Sequence, residues 1–261
     1  MKVTIVSPYK GAGNTVISTL IASTFARTQG EDVVLTYTSA QSKRICNYMG
    51  MEYYADITAS ITQLYNLIVS DTVDPADCKD YMMSAGSNMY VLDTSSSSLV
   101  EEERVTLMKK VFDYNIAPVT ICDMSNSLRM HKEPLDIEII NVSDVIIYNV
   151  TPDIKTLDEF KTWSDKSFVP KDKELLLLVN CYDERAYSTR ALAQMFGFKP
   201  RNVYKIHRNP FIQKYSNEGK IPDLIQSILL RDIPVFELNQ DLKEICQRLA
   251  TSAKLRFKWE S

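Results

Sequence analysis

Apolar positions along the chain switch repeatedly between short continuous runs and helix-length spacing. Val3–Val6 reads as a buried strand; beyond a Gly-containing loop, Ile17, Leu20, Ile21 and Phe25 recur at helical spacing that ends near Gly30. Val33–Thr36 reads as a second strand, and Ile61, Leu64, Tyr65 and Ile68 as a helix face. Met89–Leu92 and Val119–Cys122 read as strands flanking a helix that carries Val105, Met108, Val111 and Phe112. A strand at Val145–Val150, a helix over roughly Leu157–Trp163 and a strand at Leu175–Val179 follow. Parallel neighbours need a crossover, so this alternation predicts an α/β fold of three layers. A mostly parallel sheet would carry helices on both faces and bind ligands beyond its carboxyl ends.

Towards the end, Leu242, Ile245, Cys246, Leu249, Ala250 and Ala253 form one apolar helical stripe, with Asp241 and Glu244 placed to cap its start. Lys254–Trp259 then alternates bases with apolar residues, as an extended strand would. Tyr81, Met82 and Met83 read as helix-end packing. There is no internal repeat, and the serines at Ser95–Ser98 are too few for a linker. A single domain over 1–261 is expected, its C-terminal helix and short tail occupying about 241–261.

Composition narrows the function. The 261 residues are 45% hydrophobic and 24% charged, with a net charge of −3, which argues against a surface devoted to nucleic acid. Five scattered cysteines without a CxxC pair argue against a disulfide framework or zinc site. His131 and His207 have no partners at ligand spacing, and no motif suggests Ser/His/Asp catalysis. No apolar run has the length of a membrane span, and the first residues enter a strand rather than a leader, so a cytoplasmic protein is expected.

The segment Pro8-Tyr9-Lys10-Gly11-Ala12-Gly13-Asn14-Thr15 lies between a strand and a helix. Small residues there let backbone N–H groups converge on phosphate, and Thr15 stands where a hydroxyl reaches Mg²⁺. Asn14 takes the position of the expected lysine, and Pro8 that of the opening glycine. Alone, the segment reads equally well as a tight strand-to-helix turn.

Further stretches in the same order resemble the ParA/MinD family of deviant P-loop ATPases. The likeness is greatest to the CpaE/TadZ branch, which places pilus-assembly and secretion machinery at cell poles. Tyr9–Thr15 resembles the family's Lys-Gly-Gly-x-Gly-Lys-Thr loop, with Tyr9 at the signature lysine and Lys10 its candidate substitute. Tyr37 and Ser39 occupy the two carboxylate positions after the second strand. Cys46–Gly50 resembles the family's Leu-x-x-Met-Gly turn, Met89–Leu92 its Leu-Tyr-x-Leu strand, and Ser143–Asp153 its Ala-Asp strand and turn. Tyr204–Pro210 and Glu218–Pro222 resemble the late loop and Gly-Lys-Pro turn of the CpaE branch.

The resemblance implies an ATP/ADP site with Mg²⁺. Its cofactor-binding residues would be Lys10, Gly11, Ala12, Gly13, Asn14 and Thr15, with Asn180 at the adenine and Arg208, beside His207, near the base. Asp123 is preferred to Asp93 as the acid that, with Thr15, faces Mg²⁺, because Phe112-Asp113-Tyr114 and Val119–Ser125 resemble the family's stretch around it. Phosphoryl transfer in this class is positioning plus charge neutralisation. Asn14, Tyr9 and Tyr37 stand in for two lysines and the water-orienting carboxylate, so weak or no hydrolysis is expected; Tyr37 is also placed to fill the γ-phosphate space.

The reading that follows is a degenerate, dimeric scaffold for spatial positioning or assembly. It would sit in the cytoplasm, at a pole or the inner face of the membrane, with a protein partner in pilus or secretion machinery. The alternatives are a working ATPase for plasmid or chromosome partition, with Lys10 in the lysine's place, and a nucleotide-independent interaction module. Nucleic-acid binding is not expected. Lipid contact by Lys254–Trp259, in the manner of the MinD branch's amphipathic tail, is the minor reading of that strip.

Overall fold

The computed structural model describes residues 1–9, 11–38, 44–51, 55–86, 88–94, 97–124, 134–164, 172–233 and 235–259. The strands are β1 (Lys2–Val6), β2 (Val33–Tyr37), β3 (Met83–Ser84), β4 (Met89–Leu92), β5 (Val119–Asp123), β6 (Val145–Val150), β7 (Glu174–Tyr182) and β8 (Val203–His207). They form one sheet in the order β3-β4-β2-β5-β1-β6-β7-β8, antiparallel only at β3–β4. The central strands are apolar at nearly every position because helices cover both faces.

The helices are α1 (Asn14–Gln29), α2 (Arg44–Tyr48), α3 (Ala55–Val69), α4 (Glu101–Tyr114), α5 (Pro134–Val142), α6 (Ile154–Ser164), α7 (Thr189–Phe196), α8 (Pro210–Asn217), α9 (Ile221–Leu229) and α10 (Phe236–Ser252). Strand alternation divides the core. Val3, Ile5, Leu35, Ile121 and Ile147 join Leu20, Phe25, Leu224 and Leu242 of α1, α9 and α10 on one face. On the other face, Val34, Leu92 and Cys122 meet α3, α4 and α5, while Val6, Ile146 and Leu177 meet Phe160 and Phe196 of α6 and α7.

The structure corrects the end of the chain in two respects. Helix α10 begins at Phe236, so Asp241 and Glu244 sit inside it and cap nothing. Asp241, only 1% exposed, instead accepts hydrogen bonds from the His207 backbone N–H and ring Nδ1, both at 2.8 Å, tying α10 to β8. Residues 255–259 pair with no strand, yet they are docked. The Gln29 amide brackets Lys258, accepting from its N–H at 2.9 Å and donating to its carbonyl at 2.8 Å. Leu255, Phe257 and Trp259 turn onto the core while Lys254, Arg256 and Lys258 face outward, so the tail's apolar side is already covered by the protein. No helix among the described residues is long and apolar enough to cross a membrane.

The turns at Cys46–Gly50 and Glu218–Pro222 meet through backbone. A Cβ on Gly219 would lie 2.5 Å from the Asn47 carbonyl oxygen, and one on Gly50 2.7 Å from that of Gly219. The Tyr81–Met83 stretch ends a 3-10 turn, and Met83 opens β3.

Losing the His207 ring would leave the buried Asp241 carboxylate with fewer donors. Burial already pushes that carboxyl above its ordinary range, against the hydrogen bonds from His207. His207→Ala is expected to cost about 1–3 kcal/mol, read as a lower urea midpoint at unchanged m-value.

Candidate functional site

At the end of β1 the chain enters the loop through Ser7 and leaves it at Gly13, whose φ of +83° only glycine adopts without strain. Gly11 shares that half of the map at φ +92°, and a Cβ there would meet nothing within 4 Å. Helix α1 then starts with no side-chain cap and no acid in its first turn. Its leading N–H groups and the positive end of its dipole are therefore available at the loop. Lys10 lies outside the described residues, as do Ser39 and His131.

Thr15, in the first turn of α1, donates its hydroxyl to Asp123 Oδ2 at 2.7 Å. Asp123 is fully buried at the end of β5, level with Ile5 of β1 and Tyr37 of β2. Asp93 follows β4, beyond β2 and away from the loop, where it accepts hydrogen bonds from the Tyr37 hydroxyl and, at 3.7 Å, from Cys46 Sγ. The geometry thus pairs Thr15 with Asp123 rather than Asp93.

Tyr37 does not occupy the space at the loop. Its ring is fully buried in the core, and its hydroxyl reaches Asp93 just past the end of β4, on the far side of β2 from β5 and β1. The expected blockade of a γ-phosphate by this ring is therefore corrected: a carboxylate partner draws the phenol the other way.

Asn14 points into the protein rather than over the loop. Its amide donates to the Met124 carbonyl at 3.0 Å and accepts from Asn149 Nδ2 at 2.8 Å. The same Asn149 nitrogen donates to the Ala12 carbonyl at 3.0 Å, which also receives Asn180 Nδ2 at 2.9 Å. Three amides from α1, β6 and β7 thereby hold the underside of the loop. Asn180, the adenine candidate, sits so close that a Cβ on Gly13 would meet its Nδ2 at 2.9 Å. Its Oδ1 accepts from the Cys181 N–H at 2.8 Å.

Arg208 is exposed at the end of β8, with its N–H on the Tyr182 carbonyl at 3.1 Å. It lies near enough to Cys181 for its charge to oppose the upward push of burial on that thiol.

Three sets of contacts went unread in the sequence. Asn149 was the lone amide in an apolar strand, which is a signal a search for buried polar groups would find. The Tyr9 hydroxyl bonds Thr151 Oγ1, which in turn donates to Asp153 beside α6; Tyr9 thus ties the loop to the turn before α6. Asp153 also accepts the Thr156 N–H at 2.8 Å. Arg104, buried on α4, donates to the Thr38 carbonyl at 3.0 Å and lies 3.4 Å from Thr94 Oγ1, bringing a cation to the β2–β4 edge.

No protein-family model and no curated protein matches the chain. Solved structures do. A ParA family ATPase from Chlorobium tepidum superposes with a TM-score of 0.71 at 14% identity, over 95% of this chain and 98% of that one. MinD from Pyrococcus horikoshii, solved with Mg-ADP, gives 0.66 at 15% identity, over 95% of each chain. MinD of Aquifex aeolicus, solved in complex with MinC, gives 0.67 at 13% identity, over 96% of this chain and 95% of that one. The chain has the fold of the ParA/MinD-type P-loop ATPases.

Proposed function

We propose that a chain with the ParA/MinD fold and this loop binds Mg-nucleotide with little or no hydrolysis and serves as a scaffold for spatial positioning or assembly. The observation that carries the reading is the division of labour at the loop. Left-handed glycines, an uncapped helix start and the Thr15–Asp123 pair are retained, whereas Asn14, Tyr9 and Tyr37 hold internal hydrogen bonds. Backbone donors suit phosphate oxygens, and hydroxyl and carboxylate oxygens suit a hard cation, so the residues fit both groups. Mg²⁺ held near Thr15 and Asp123 would neutralise phosphate charge. The chain's own part is to orient the phosphates with its backbone and to exclude the acid that would orient water.

A homodimer across this face, a partner in pilus or secretion machinery and a cytoplasmic, polar location complete the proposal in its CpaE/TadZ form. Support for a protein partner comes by analogy with the MinD solved with MinC. The amide clamp on Ala12 favours one second reading, the nucleotide-independent interaction module, because it holds the loop with protein groups alone. The partition-ATPase reading requires Lys10 to supply the missing charge.

Calorimetric titration with Mg-ATP and Mg-ADP beside a phosphate-release assay separates these readings. The expected outcome is saturable binding without turnover, with binding at least tenfold weaker in Asp123→Ala. Brisk turnover lost in Lys10→Ala would replace the scaffold with an ATPase. Absence of binding, with a dimer by light scattering that Asn14→Lys leaves unchanged, would establish the module.

A further inference from the structure

Away from the loop, α1 ends at a surface that none of the preceding chemistry uses. From Asn14 to Arg27 the helix advances about 20 Å. Three clefts of ≈ 160, ≈ 430 and ≈ 310 Å³ adjoin one another there, the first two sharing Arg231 and Phe236, the first and third sharing Leu229. Together they make one groove between the end of α1, the α9–α10 turn and the docked tail.

Its apolar content is unusual for a free surface. Phe236 is 79% exposed and Leu230 61%, and both border the groove, as does Trp259 at the end of the tail. Large apolar side chains exposed together beside a concavity mark interaction sites more often than single exposed residues do. The charged side chains lining the three clefts are Arg27, Arg231 and Lys243, all cations, although the whole chain carries −3. Asp232 and Glu237 adjoin the groove in sequence but line none of the clefts.

We propose that this groove docks a short segment of a partner protein that presents bulky apolar side chains flanked by aspartate or glutamate. Concavity argues for a peptide, whose side chains fill clefts. The all-cationic lining selects acidic flanks, steering their approach and penalising basic ones. Aromatic and arginine side chains at the centre, Phe236 and Arg231, are the residue types that anchor such contacts. Because the groove lies a helix length from the loop, its occupant leaves the nucleotide edge open.

Random-peptide display against the full chain tests this, followed by fluorescence anisotropy with a selected peptide. Enrichment of aromatic or aliphatic residues next to Asp or Glu is expected, with affinity falling at least tenfold in Lys243→Glu and again in Phe236→Ser. Phe236 is exposed and Lys243 half-buried, so the variants should melt close to the parent, which a thermal scan checks. Raised salt should weaken binding. Enrichment of basic peptides, no enrichment, or binding that survives both substitutions would overturn the proposal. So would sedimentation with phosphatidylglycerol vesicles that Phe236→Ser abolishes, which would assign the face to a lipid surface.

Discussion

Alanine at Gly219 is expected to destabilise the protein by about 2–4 kcal/mol, among the larger effects of any single methyl group in the chain. Two penalties combine. The residue sits at φ +68°, where a non-glycine residue pays about 1 kcal/mol or more. The added Cβ would also lie 2.5 Å from the Asn47 carbonyl oxygen and 3.3 Å from the Gly50 nitrogen, both backbone atoms with no rotamer to change. Gly197→Ala is the control: its φ is +73° and nothing lies within 4 Å of its Cβ, so only the first penalty, about 1 kcal/mol, applies. Urea unfolding of both variants separates the terms. Gly50→Ala should behave like Gly219→Ala, and the double variant should cost less than the sum, because one separation of the turns relieves both clashes. Equal midpoints for Gly219→Ala and Gly197→Ala would show that the contact between the turns is loose in solution.

That contact also shows what the sequence could and could not disclose. Both turns were readable as local patterns, yet nothing in either says that they touch, since Asn47 and Gly219 stand 172 positions apart in the chain. The strands β1, β2, β4, β5 and β6 were legible because burial on both faces makes them continuous apolar runs. Strand β8 was not: it lies at the sheet's edge, half-buried, with Lys205 in its middle. Helices α7, α8 and α9 have 8, 8 and 9 residues, too few turns for periodicity to stand out, and their cues lie in caps such as Ser188 and Asn209.

The loop itself was legible from its glycines, and the choice of Asp123 as the acid beside Thr15 from the family resemblance. The clamp on Ala12 was not, because Asn149 and Asn180 reach it from strands far along the chain. The direction of Tyr37 was equally hidden. Position alone puts it at the right strand end; only the carboxylate of Asp93 and the core around its ring decide where the phenol goes.

Asn14→Lys is expected to tighten Mg-ATP binding by about tenfold to a hundredfold, the equivalent of roughly 1.5–3 kcal/mol for a charge-assisted contact. The substitution has a local cost, because Asn14 now donates to the Met124 carbonyl and accepts from Asn149. An ammonium can donate to Met124 in its place but cannot accept from Asn149. Relief is at hand in the same network. Asn149 Oδ1 has no hydrogen-bond partner among the described residues, so a turn of that amide would present an acceptor to the cation, while Asn180 keeps its bond to Ala12. The net loss of stability should therefore stay near 1 kcal/mol, measurable by urea unfolding without nucleotide. Turnover should remain at background, since the added charge does nothing to supply an acid where Tyr37 stands. Affinity and hydrolysis would then respond separately to one residue: tighter binding with no phosphate release marks a cradle that lacks its catalyst, and unchanged affinity marks a loop that does not hold phosphate.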